Sequence, residues 1–295
     1  MFKKLTAMIF IMFLISSYTY GKEKLKVVTS IAPLAYFIEN IGGDRADVTT
    51  LIPPGGNPHT YEPTPRQMNI LSRADLYVKA GSGIEFELTW MEKMESLNRD
   101  MTVCNASKGI TLIDTDEEAQ GHEEEHEHGH HHHGRKDPHI WLSPVNAIII
   151  TENIRDSLAA EDAAGSDYYS DNAASLIEEL KALKENISLT LSRITKRRFF
   201  IFHPAWAYFA GDFNLEQIPV EFSGKEPTPE RLGKLIKKAK KENIDVIFSS
   251  PQFSSKSANV IAREINGKVI FIDPMSEDYI KNLEHTAKLF QENLK

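Results

Sequence analysis

One cysteine in 295 residues (Cys104) leaves this chain without an internal disulfide, so its core has to be built by burial alone. Long apolar runs are scarce too. Beyond the first 21 residues no stretch approaches the ~20 residues that cross a bilayer, which excludes membrane insertion of the remainder. Glycine patterning is equally uninformative for nucleotides. The triplet Gly81–Ser82–Gly83 lacks the third glycine of a dinucleotide fingerprint and the lysine of a P-loop, and a tight turn after a strand accounts for it. Basic charge is in deficit, with 34 Lys and Arg against 42 Asp and Glu and a formal net charge of −8. Nucleic acid and anionic membrane are poor partners for such a chain.

The one apolar run that exists is at the start, MFKKLTAMIFIMFLISSYTYG. Two lysines, a short apolar stretch of about Leu5–Ile15 and a small-residue exit read as a secretory signal peptide over residues 1–21. No cysteine follows the apolar run, so the expected product is a free periplasmic protein rather than a lipid-anchored one. Removing that segment leaves 32 basic against 42 acidic residues, a net charge of −10. Roughly 270 mature residues suit two domains better than one core.

Short β-branched runs alternate with amphipathic stretches in both halves. LKVVTS, DVTTLI, DLYVKA and MTVCNA read as strands of an N-terminal lobe over 22–143, and the helix between the first two opens at Pro33 and stops at Gly42–Gly43. RFFIF, IPVEF, IDVIFSS and KVIFID read as strands of a C-terminal lobe over 198–295, with Thr228 capping an intervening helix that begins at Pro229. Between them, 144–197 is helical. Its second part has no Gly or Pro over 166–196, Ser166 or Asp167 as N-cap, and an apolar stripe of Leu176, Leu180, Leu183, Ile187 and Leu191. The expectation is α/β: two lobes, each a mostly parallel sheet flanked by helices, joined by one long backbone helix.

Histidine is what the chain has in unusual concentration. The segment 114–136 carries His122, His126, His128, His130, His131, His132 and His133 among eight carboxylates. It has no apolar periodicity, so it reads as a disordered, exposed loop, either neutral low-complexity sequence or a weak, multivalent collector of metal. Many near-equal ligand choices make it a poor place to hold one ion selectively.

Three isolated histidines sit differently. His59 follows DVTTLI and the turn PPGGNP, His139 stands at a loop-to-helix entry in DPHIWL, and His203 directly follows RFFIF. Asp273 ends KVIFID in the same manner. Ligands of open α/β sheets bind outside the carboxyl ends of the strands, so two facing lobes would bring these four together. Three imidazoles and a carboxylate suit tetrahedral Zn(II). The lack of Cys and Met ligands argues against Cu(I). His285, in NLEHTAKLF, has no such context.

NPHTYEPTPRQM, DPHIWLSP, FHPAWAYFA and the closing IDP resemble, in order, the motifs of the ZnuA-like zinc-binding proteins of ABC importers. GSGIEFELTW and SGKEPTP are also similar to family segments, and the resemblance spans nearly the whole chain after the leader. It implies two lobes on a long helix with the metal site between the lobes. His59, His139 and His203 are then the imidazole ligands and Asp273 the carboxylate position. Pro58 stands where some zinc members carry a ligating Glu, so Asp273 or water completes the shell. Manganese-type relatives tend to carry Glu at the position of His203, and Mn(II) prefers oxygen ligands, which favours zinc here. The implied function is capture of Zn(II) by a monomer and delivery to a membrane permease with a cytoplasmic ATPase, with the acidic histidine loop a low-affinity antechamber. Alternatives are capture of manganese or another divalent metal, a metal-dependent adhesin, or a zinc buffer without transport.

Three histidines with an open position also describe a catalytic zinc. No expected helix carries HExxH, which occurs only within the low-complexity segment, and the motif-borne bases, Glu62 and Glu85, have no sequence signal placing them at the metal. The expectation is a binding protein, not an enzyme.

Overall fold

The computed structural model describes residues 23–115, 136–221 and 226–295. The leader and the seven loop histidines lie outside the described residues. The flanks of the histidine loop meet: Asp114 and Lys136 form an antiparallel bridge and an ion pair.

The first sheet comprises β1 (Leu25–Thr29), β2 (Ala46–Thr50), β3 (Leu76–Lys79) and β4 (Thr102–Asn105), in the order β2-β1-β3-β4 and wholly parallel. The second comprises β5 (Arg198–Ile201), β6 (Glu216–Pro219), β7 (Val246–Ser249) and β8 (Lys268–Phe271), in the equivalent order β6-β5-β7-β8 and again parallel. The inner strands are apolar on both faces, as parallel sheets covered by helices require. Leu76, Tyr77 and Val78 are all fully buried, as are Phe199, Phe200 and Ile201.

Helices cover both sheets. In the first lobe these are α1 (Ala32–Gly42), α2 (Pro65–Leu71) and α3 (Glu85–Leu97). Pro33 sits in the first turn of α1, and Gly43 ends it at a φ of 47°. α4 (Pro144–Glu161) starts on a Ser143 cap whose Oγ accepts the Asn146 N–H. The connector is α5, Ser166–Leu191, 26 residues and about 39 Å long. It stops five residues short of the expected end, and its N-cap is Gly165 rather than a side-chain cap. The stripe Leu176, Leu180, Leu183, Ile187 and Leu191 is buried throughout. One side of α5 packs on α1 and α4, the other on the C-terminal helix α9 (Tyr279–Asn293). The second lobe is completed by α6 (Ala207–Asp212), α7 (Pro229–Lys241) and α8 (Lys256–Glu264). As expected, Thr228 caps α7 and Pro229 opens it.

The helical strut joins the lobes into a single core rather than two. Apolar packing runs without a break from Val27 and Leu76 through Ile154 and Leu180 to Phe199, Phe248 and Phe290, and only the outer face of the second sheet forms a separate cluster. Among the described residues no helix is long and apolar enough to cross a membrane.

Strand ladders continue past the formal ends and carry the chain to the rim of the crevice. Leu51 and Ile52 N–H donate to Thr29 and Ser30 carbonyls. Val220 and Glu221 N–H donate to Ile201 and Phe202 carbonyls, which sets Glu221 beside His203. β6 therefore begins two residues earlier than IPVEF implied, with Glu221 beyond its end.

Candidate metal centre

Each of the three histidines is held from behind by a carboxylate. His59 follows β2 in a turn closed by Asn57, whose Oδ1 accepts the His59 N–H at 2.9 Å. Its Nδ1 lies 2.7 Å from Glu85 Oε2. Glu85 is the first residue of α3, where the helix N-terminus favours a negative charge.

The turn leading into α3 is fixed by a fully buried carboxylate two residues on. Glu87 accepts the Ala80 N–H at 2.7 Å and the Gly81 N–H at 2.9 Å, together with the Ser30 hydroxyl. Burial raises its pKa, against the pull of those donors. Gly81 adopts a φ of 69°, and a Cβ there would stand 1.8 Å from Asn105 Oδ1. The GSG triplet is thus the tight turn its sequence implied. Ser82 Oγ then donates to the Pro138 carbonyl at 2.5 Å, tying this turn to the next ligand loop.

Asp137 organises that loop. Its Oδ1 accepts both the backbone N–H of His139 at 2.9 Å and the ring Nδ1–H at 2.8 Å. The second lobe locks the same loop in place. Tyr208 Oη donates to the Asp137 carbonyl at 2.9 Å, and Trp141 Nε1 donates to the Pro274 carbonyl at 2.7 Å.

His203 leaves the end of β5 with Nδ1 against Glu221 Oε1. Both side chains are buried. Burial, and then the neighbouring His139 and His59, hold the His203 pKa well below its usual value. Burial, and then Glu226, push the Glu221 carboxyl up to about 8. On its open face, His203 stacks on Phe253 with ring centroids 4.2 Å apart at 24°.

The three Nε2 atoms converge from these positions. His203 Nε2 is 3.2 Å from His59 Nε2 and 3.2 Å from His139 Nε2. When the carboxylates accept the Nδ1–H groups, each Nε2 is left with a lone pair to offer an ion. Tetrahedral zinc with bonds of 2.0–2.1 Å needs nitrogens about 3.3 Å apart. The set fits. The cavity they line has a volume of about 10 Å³ and is lined also by Pro58, Gln252, Phe253, Pro274 and Met275.

Among the described residues the metal-competent group is His59, His139 and His203, as the sequence implied, and Asp273 lies outside it. Asp273 Oδ1 is occupied by the Gln252 Nε2 and Met275 N–H donors, at 2.7 and 2.8 Å. His285 is exposed on α9, away from this group. The sequence alone offered Glu85 only as a possible base and gave Asp137 and Glu221 no role. Asp137 was legible in DPH, two residues before its ligand. Glu221 and Glu85 depend on pairing across the fold, and Glu85, set aside as unplaced, is in fact bonded to a ligand.

With this geometry in place, comparison with known proteins is direct. Residues 27–293 match the family described as zinc-uptake complex component A, periplasmic. The high-affinity zinc uptake system protein ZnuA of Bacillus subtilis is 38% identical over 250 residues, 83% of this chain and 77% of that protein. The zinc-binding lipoprotein AdcA of Streptococcus pneumoniae is 32% identical over 92% of this chain, which spans only 55% of AdcA. Among solved structures, a ZnuA deletion mutant with zinc bound aligns with a TM-score of 0.84 at 37% identity, covering 92% of this chain and 99% of that one. The chain belongs to the ZnuA family.

Proposed function

We propose that this protein captures Zn(II) in the periplasm, as a monomer, and delivers it to an ABC importer made of a membrane permease and a cytoplasmic ATPase. The observation that carries the reading is the convergence of three imidazoles, with His203 Nε2 at 3.2 Å from the Nε2 of both His59 and His139 and each ring against its own carboxylate. Such triads fix the tautomer and raise ligand basicity. His59, His139 and His203 are the ligands, and Asp273 or water completes the shell. His203 in place of a carboxylate favours zinc over the harder Mn(II).

The mechanism is coordination rather than catalysis. A cavity of about 10 Å³ lined by three imidazoles suits a small ion. The α5 strut and the continuous core support a small lobe motion around the ion rather than a wide hinge opening. The seven histidines of the 114–136 segment act as a weak collecting site separate from the tight one, since imidazole is a good ligand for a borderline metal.

Delivery is tested in the native host. A strain lacking the gene should fail to grow under zinc limitation, and the wild-type gene should restore growth while His203→Ala does not. Rescue by His203→Ala would refute a transport role for this site.

A further inference from the structure

The chain leaves β7 through Ser250, turns with the Phe253 N–H donating to the Ser250 carbonyl at 3.2 Å, and brings Gln252 and Phe253 over the cavity. Gln252 is bound at one end only. Its Nε2 donates to Asp273 Oδ1 at 2.7 Å, while Oε1 is buried without a hydrogen-bond partner among the described residues. The amide cannot flip to relieve this, because its oxygen would then face a carboxylate oxygen. A buried acceptor left unpaired is costly, which calls for a donor.

The cavity itself offers no donor. Histidines that ligate an ion through Nε2 have no proton left there to give, and the side chains of Pro58, Phe253, Pro274 and Met275 carry no N–H or O–H. A donor has to arrive with the cargo. Water bound to a divalent cation is such a donor, because the ion polarises its O–H bonds. Asp273 is meanwhile restrained by two donors on Oδ1 and by Asn282 Nδ2 on its backbone carbonyl at 2.7 Å.

Building on the zinc-capture reading, we propose that Gln252 is a positioning residue for the fourth ligand: its Oε1 accepts a hydrogen bond from a metal-bound water, while its Nε2 keeps Asp273 outside the coordination shell. The centre is then three nitrogens and one water oxygen.

The test compares the full chain with Gln252→Ala and Asp273→Asn. Zinc affinity is measured by chelator competition, Co(II) reports coordination through its visible spectrum, and thermal unfolding of the metal-free proteins reports folding. Gln252→Ala is expected to lose 10- to 100-fold in zinc affinity and to change the Co(II) spectrum. Its metal-free unfolding temperature should be unchanged or higher, since an unpaired buried acceptor has gone. Asp273→Asn should retain the wild-type Co(II) spectrum. Unchanged affinity in Gln252→Ala would overturn the proposal, as would an Asp273→Asn spectrum altered as strongly as that of Gln252→Ala, which would make the carboxylate the ligand. Loss of affinity with an unaltered spectrum in Gln252→Ala would also overturn it. If wild type and His203→Ala both lack a tight site, the capture reading itself fails, and that result is distinct from the others.

Discussion

Asp137 Oδ1 lies 2.8 Å from His139 Nδ1 and also accepts the backbone N–H of the same residue at 2.9 Å. One oxygen thereby sets both the loop conformation and the ring tautomer of a ligand only two positions along the chain. Asp137→Asn keeps the size but presents an amide whose NH₂ can face the ring nitrogen. Zinc affinity should fall 10- to 100-fold, in the range found for outer-shell partners of metal-bound histidines. Competition with a chelator of known affinity measures it, and an unchanged affinity would remove Asp137 from the account.

Phe253 stacks on His203 and closes the cavity from the second lobe. Phe253→Ala leaves all three ligands in place and opens the site to water. Zinc should dissociate faster by an order of magnitude or more, with the equilibrium affinity reduced less than in a ligand mutant, since the bonds themselves are intact. Stopped-flow transfer to a chelator reads the rate directly.

The Glu221–His203 pair gives the metal-free protein a pH dependence of definite sign. The Glu221 pKa is raised from 4.5 to about 8 in the fold. The folded state therefore holds a proton the unfolded state has lost, and that contribution to stability declines as pH rises from about 4.5 to 8. His203 acts oppositely: its pKa is depressed below 6.5, so stability is lost as pH falls below 6.5. Zinc reverses the first effect, because a cation on Nε2 favours the Glu221 carboxylate. Binding at neutral pH should release about one proton from this pair. Calorimetry in buffers of different ionisation enthalpy counts that proton, and Glu221→Gln should remove it.

The Trp141 Nε1 bond to the Pro274 carbonyl joins the lobes beside the ligands. Trp141→Phe deletes the donor and leaves a void in a fully buried position. The metal-free protein should lose about 2 kcal/mol, from an orphaned carbonyl and a cavity. The shift of the urea midpoint measures it, and no shift would show that this contact does not hold the lobes.

Much of this was legible in the sequence. Strand runs such as LKVVTS and IDVIFSS, the stripe from Leu176 to Leu191 and the Thr228–Pro229 helix start are local signals, and they gave the two parallel sheets and the strut. His59, His139 and His203 were legible because each stands at an element boundary where α/β ligands gather. Asp273 shares that position, but its Oδ1 accepts from Gln252 and Met275, and neither partner leaves a trace at Asp273 itself. Glu221 escaped notice, and Glu85 was named only as a possible base, for the same reason: Glu85 meets His59 across a helix start, and Glu221 meets His203 across a strand ladder. The continuous core was hidden because a stripe on α5 does not reveal that α1, α4 and α9 share it.

Zinc titration calorimetry at neutral pH on metal-stripped mature protein, with His203→Ala beside wild type, bears most directly on the interlobe site. One tight equivalent in wild type, lost in His203→Ala while weaker equivalents remain, is the result predicted. A tight equivalent that survives His203→Ala would contradict the account and turn attention to the histidines of residues 121–134.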